Sequence, residues 1–241
     1  MSGPDIEQRS FETIDARARH NFPADRWEIV RRMIHTVGDL DLVGMVKFST
    51  DAIGAGVTAL RQGRPLYVDS NMIRAGLSMP RLQSANRSYS AANIFCHIAD
   101  KDVAEQAGGA GLPRSLFAVR KAKEMLHGGI AVFGNAPVAL LELNRMVIEE
   151  GLRPALVLAL PVGFVHVVES KEELMSLGIP YVAITGWRGG STLAVSAVHA
   201  FCTLAASREA RVATNQLKGG ELNEEKDRKK NQKHHCASQN V

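Results

Sequence analysis

The sequence has no uninterrupted apolar run approaching the ~20 residues that a membrane-spanning helix needs. Its 241 residues hold only three cysteines, Cys96, Cys202 and Cys236, with no CxxC spacing. Three thiols cannot all pair with one another, which argues against a disulfide framework and fits a reducing cytoplasm. Aromatic residues make up 5% of the chain, too few for a surface that stacks nucleic-acid bases. The first ten residues lack an apolar core, so no secretory signal is expected. Also missing are HExxH, an evident Ser–His–Asp pattern, GxGxxG and the GxxxxGK phosphate loop. These absences favour a chemistry that needs neither a bound metal nor a covalent nucleophile.

What remains is ordinary globular composition, 45% hydrophobic and 22% charged, in a length suited to one sizeable core. The net charge of +4 resembles a nucleic-acid or membrane signal until it is located. Residues 208–241 carry eight Lys/Arg against five Asp/Glu and so supply +3 of it. The rest of the chain is nearly neutral, so its basicity says little about partners.

A short helix is expected over 5–20. A second starts at Pro23, where Trp27, Val30, Ile34 and Val37 recur at helical spacing before Gly38. A strand over 43–49 precedes a helix over 51–62 capped by Asp51. Strand 66–69, helix 70–77, strand 93–98, helix 100–106, a flexible Gly108-Gly-Ala-Gly111 loop and helix 115–126 follow. The runs 130–133, 155–159 and 181–184 are continuously apolar, the mark of strands buried on both faces. Helices are expected over 136–150, 167–176 and 190–206. This alternation predicts an α/β fold: three α/β/α layers around a mainly parallel sheet, in one domain over 1–206. The polar tail, 207–241, cannot bury enough surface to offset its ordering entropy and is expected to be disordered.

Three loops follow three of these strands and should line one cleft at the same sheet edge. Gly134-Asn135-Ala136-Pro137 opens a helix whose first N–H groups favour an anion, or is a plain connection. Pro161-Val-Gly163-Phe164 precedes Glu169-Ser-Lys171, where the lysine either meets an acid group or is a solvated helix charge. Gly186-Trp-Arg188-Gly189-Gly190-Ser191 pairs a guanidinium with loop amides, as an anion site or a structural turn. Among the histidines, His35 shares a helix stripe with Glu28 and Arg31, a solvated face by default. A histidine can also donate a proton at neutral pH. His97 and His199 sit in apolar contexts that suit packing, and His166 lies inside the second loop. His234 and His235, beside Cys236, read as incidental tail composition.

Taken in order, Arg9-Ser10-Phe11, Arg32-Met-Ile-His35, Arg114-Ser115, Gly134-Asn-Ala-Pro137, Pro161-Val-Gly-Phe-Val165, Glu169-Ser-Lys171 and Gly189-Gly-Ser191 carry a family likeness. The chain resembles the precorrin-8X and cobalt-precorrin-8 methylmutases of cobalamin biosynthesis over roughly residues 6–206. The resemblance implies an isomerase that moves a methyl group from C-11 to C-12 of a corrinoid macrocycle, assisted by protonation. It implies His35 as proton donor and acceptor, with Ser10 and Arg114 in the site. Asn135, Gly163, Lys171, Arg188, Gly189, Gly190 and Ser191 would bind substrate. It further implies no cofactor beyond any cobalt inside the substrate, a homodimer, a tightly held product and channelling to neighbouring enzymes. His166 departs from the family pattern, and the polar tail has no counterpart in it. Two competitors remain, a non-catalytic tetrapyrrole carrier and an α/β enzyme that binds a phosphorylated ligand at 186–191. Nothing in the residues tells a metal-free substrate from a cobalt-bearing one.

Overall fold

The computed structural model describes residues 2–207. The tail expected to be disordered lies, beyond Ser207, outside the described residues. The described chain up to Ala205 forms one compact unit.

Helix α1, Gly3–Arg17, starts at a capping box in which Ser2 and Asp5 bond each other's backbone N–H. Helix α2, Ala24–Val37, stops where Gly38 turns left-handed at φ 68°. The turn α3, Leu42–Met45, leads into β1, Val46–Phe48, and α4, Ala52–Arg61. Next come β2, Leu66–Val68, α5, Asn71–Gly76, α6, Met79–Ala85, and β3, Ile94–Phe95. Helices α7, Lys101–Ala110, α8, Arg114–Lys121, and α9, Lys123–Leu126, precede β4, Ile130–Phe133. Then α10, Pro137–Glu149, β5, Leu156–Ala159, α11, Val167–Ser176, and β6, Tyr181–Ile184, alternate. A last helix, α12, occupies 191–207.

Four local expectations change. The strand placed at 43–49 begins with a helical turn, closed by the Gly44 N–H on the Asp41 carbonyl, so only three residues remain extended. Asp51 makes no capping bond, because its carboxylate accepts the Ser49 hydroxyl instead. The glycine loop at 108–111 is mostly helix: α7 runs through Gly108 and Gly109, and only Gly111 turns left-handed. Buried Val103 and Ala107 anchor that helix, so packing outweighs the ~1 kcal/mol each glycine costs. The strand at 93–98 shrinks to two residues.

The sheet order is β1-β6-β5-β4-β2-β3, parallel except for β1 on β6. Period-2 alternation divides the core. Leu66, Val68, Ile130, Val132, Leu156, Leu158, Val182 and Ile184 face α1, α2, α4, α6 and α12. Tyr67, Ala131, Phe133, Val157, Ala159 and Ala183 face α8, α9, α10 and α11. All eight residues of β4 and β5 are buried, which explains their unbroken apolar sequence. The three-layer α/β/α architecture is therefore present. No described helix is long and apolar enough to cross a membrane.

From β2 the chain goes on to β3 at one side, whereas β4 lies on the other side and leads outward to β5 and β6. The strand order thus reverses between β2 and β4, the place where open α/β sheets form a crevice at their carboxyl ends.

Candidate active site

The crevice holds an anion of the chain's own. Asp69 directly follows β2, is 1% exposed, and accepts the N–H groups of Gly134, Asn135 and Ala136 at 3.1, 2.8 and 2.7 Å. The amides expected to receive a ligand at Gly134–Pro137 are therefore already taken. Burial pushes the Asp69 carboxyl above its usual range, while the three amides pull the other way. The Asn135 side chain itself is exposed at the crevice mouth.

The three loops meet as expected. Gly190 donates its N–H to the Leu160 carbonyl at 2.8 Å, and Gly163 donates to the Trp187 carbonyl at 3.2 Å. Ser70, just after Asp69, bonds Ser191 hydroxyl to hydroxyl at 3.1 Å. Gly189 lies so close to the preceding loop that a Cβ there would sit 2.5 Å from the Pro161 carbonyl oxygen. Gly190 has φ 133°, a conformation that side chains resist.

Lys171 is not a solvated charge. It is 1% exposed and its ammonium donates to the carbonyls of Gly186 and Arg188 at 3.0 and 2.8 Å. Burial lowers it to about 8. It holds the 186–191 loop from inside, with two of its three donors spent on backbone. Arg188 also has partners within the chain, the carboxylates of Asp39 and Asp41 beyond the end of α2.

The first two likeness motifs meet on the packed pair α1 and α2. Ser10 Oγ lies 2.7 Å from His35 Nδ1. The ring of buried Phe11 meets the His35 ring edge-on at 5.3 Å and sits under the Arg31 and Arg32 guanidinium groups. His35 is exposed, as its helix stripe predicted. Its Nε2 has no partner among the described residues. Two cavities open beside it. One, of about 310 Å³, lies between α2, α5 and α12, and is lined among others by Arg32, Met72, Ser191, Thr192 and His199. The other, of about 190 Å³, lies towards Ser10, Arg17 and Leu40. His35 and Ser191 thus share a cavity, although they are far apart in sequence.

Arg114 is not brought to this group. It is exposed at the start of α8, on the opposite side of the sheet from His35. His166 is exposed and caps α11 in the left-handed region at φ 58°, the only described non-glycine residue to do so. Beside it Phe164 and Val165 are 84% and 70% exposed, and the Phe164 ring lies 5.7 Å from exposed Trp187. Together they present an apolar face beside the crevice. Sequence reasoning missed three residues: Asp69, marked only by an acid at the end of an apolar strand, Arg32 and His199. No group of three or more His, Cys, Asp or Glu among the described residues is arranged to hold a metal ion.

The arrangement can deliver a proton from an exposed imidazole into a cavity ringed by hydroxyls and positive charge. Comparison with known proteins points to one family. The family model described as "Precorrin-8X methylmutase" matches residues 5–204. A cobalt-precorrin-8 methylmutase of Leptospira interrogans is 39% identical over 218 residues, 87% of this chain and 97% of that one. A precorrin-8X methylmutase of Pseudomonas aeruginosa is 40% identical over 204 residues, 83% of this chain and 95% of that one. The crystal structure of precorrin-8x methyl mutase from Thermus thermophilus superposes with a TM-score of 0.78 at 39% identity, covering 85% of this chain and 97% of that one.

Proposed function

The chain belongs to the precorrin-8X methylmutase family, and from that premise we propose that His35 supplies the proton for its reaction. The protein is an isomerase of cobalamin biosynthesis that converts precorrin-8X or its cobalt form to hydrogenobyrinate or cobyrinate by moving a methyl group within the macrocycle. The observation that carries the His35 assignment is its 2.7 Å bond to Ser10 on the side of the 190 Å³ cavity, with the same ring bordering the 310 Å³ cavity.

In the imidazolium the Nδ1–H donates to Ser10 Oγ. Once Nε2 has given up its proton the neutral ring keeps that Nδ1–H bond and holds a lone pair on Nε2, ready to take the proton back; at rest the Ser10 hydroxyl can instead donate to Nδ1 of the other tautomer. Ser10 therefore serves both states and keeps the ring in place. From Nε2 the proton passes to the macrocycle, which becomes electron-poor along the path of the C-11 to C-12 shift. When the methyl group has migrated, the proton returns to Nε2. No electron leaves or enters, and substrate and product are isomers.

The cavity is at the low end of the ~300–1,000 Å³ usual for small-molecule sites, and a corrinoid exceeds it. The rest of the ring lies over the apolar face of Phe164, Val165 and Trp187, and a second copy of the chain covers it to complete the cleft. The exposed apolar Phe164, Val165 and Trp187 are what supports this homodimer reading, and with it goes a tightly held product that is passed on to the next enzyme. Cobalt, where present, arrives inside the macrocycle.

The test is turnover of metal-free and cobalt-loaded precorrin-8, followed by the absorbance change of the macrocycle. A methyl shift with either form supports the methylmutase reading, and its loss in a folded His35→Ala variant that still binds product supports the His35 assignment. Tight binding without a shift would identify a carrier instead.

A further inference from the structure

The cavity beside His35 holds a second imidazole. His199 projects from α12 into the same space, and its surroundings fix its chemistry. The backbone N–H of Ser78, which can only donate, lies 3.0 Å from His199 Nε2. Nε2 must therefore carry a lone pair, and the ring proton sits on Nδ1. Protonating the ring would set two donors against each other. Burial disfavours the charged ring, and Arg81 and Arg32 add positive potential, so the imidazole falls to about 4. The acids near these arginines, Glu7 and Glu28, pair with the guanidinium groups rather than with the imidazole. The Nδ1–H has no partner among the described residues. It is a fixed, neutral donor in a positive field, and both properties suit an anionic acceptor.

We propose that His199 is a second substrate-binding residue, a permanently neutral imidazole that donates its Nδ1–H to a carboxylate arm of the macrocycle. This rests on the methylmutase reading and divides the labour in the cavity. His35, open to solvent and bonded to a hydroxyl that can donate or accept, exchanges the proton. His199 cannot exchange one and instead anchors the ring so that the reacting carbons stay in reach of His35. The hydroxyls of Ser191 and Thr192, at the start of α12, line the same wall.

The experiment compares His199→Leu and His199→Asn. An asparagine amide can accept from Ser78 and donate to the arm, whereas leucine can do neither. The leucine variant should raise KM for precorrin-8X and weaken hydrogenobyrinate binding about 10-fold, leaving kcat within about 3-fold. The asparagine variant should stay near wild type in both. A folded leucine variant with unchanged KM and product affinity, or with a loss confined to kcat, would overturn the proposal. If the leucine variant does not fold, the ¹⁵N-histidine spectrum of the wild-type protein decides. The His199 Nδ1–H resonance, assigned against the asparagine variant, should move when hydrogenobyrinate is added, and a stationary resonance refutes the role. Wild-type protein that neither binds nor isomerises the macrocycle would instead refute the methylmutase reading itself.

Discussion

Replacing Lys171 with methionine should remove a pH dependence from the protein's stability. The buried ammonium titrates at about 8 in the folded chain, against 10.5 for the free side chain. Between those values the unfolded chain holds a proton that the folded chain has released. Stability from this group is therefore fully present above 10.5, and it is lost as pH falls through 8. At ~1.4 kcal/mol per pKa unit the whole effect is about 3 kcal/mol, of which about 2.5 falls between pH 7 and pH 10. The side chain is 1% exposed, so solvent screening takes little from this figure. Methionine has similar length and no titration. Urea unfolding followed by circular dichroism at several pH values should therefore show wild type gaining about 2.5 kcal/mol on Lys171→Met from pH 7 to pH 10. A difference that stays constant across that range would refute the buried ammonium. A neutral amine still has two N–H groups, enough for both the Gly186 and the Arg188 carbonyls, so the 186–191 loop stays clamped while Lys171 loses its charge.

Gly189→Ala drives a methyl group against the Pro161 carbonyl oxygen, and a backbone shift of the 186–191 loop should cost about 1–3 kcal/mol in thermal or urea unfolding. Asp69→Ala leaves three crevice amides without their acceptor; about 3–5 kcal/mol of stability should disappear, with product affinity falling alongside it as the Asn135 and Ser191 loops loosen. Should calorimetry find Asp69→Ala as stable as wild type, the carboxylate does not brace the crevice.

The sheet was legible because β4, β5 and β6 are buried on both faces and so show as apolar runs, each closed by glycine or proline loops. Their common edge followed from parallel pairing. The anion at Gly134–Ala136 was not legible as Asp69, because its partners lie more than sixty residues along the chain. Lys171 was misplaced for a similar reason. Its helix pattern puts it beside charged neighbours, and only the tertiary fold brings the 186–188 carbonyls onto it. Spacing alone gave His35 no more than a solvated stripe; the likeness to a family singled it out, and the packing of α1 on α2 supplied its Ser10 partner. His199 read as a packed residue, since neither the Ser78 amide nor the cavity is visible in sequence. The place of Arg114 was not legible either, because motif order does not show that one chain sets it on the far side of the sheet from His35.

The central claim is that the proton for the methyl shift comes from His35. It is tested most directly by His35→Ala, with hydrogenobyrinate affinity and single-turnover conversion of precorrin-8X measured on the same preparation. The account predicts product affinity within about 3-fold of wild type and a shift slowed at least ~100-fold, the usual contribution of a positioned acid–base group. Conversion at the wild-type rate by a folded His35→Ala protein would contradict it.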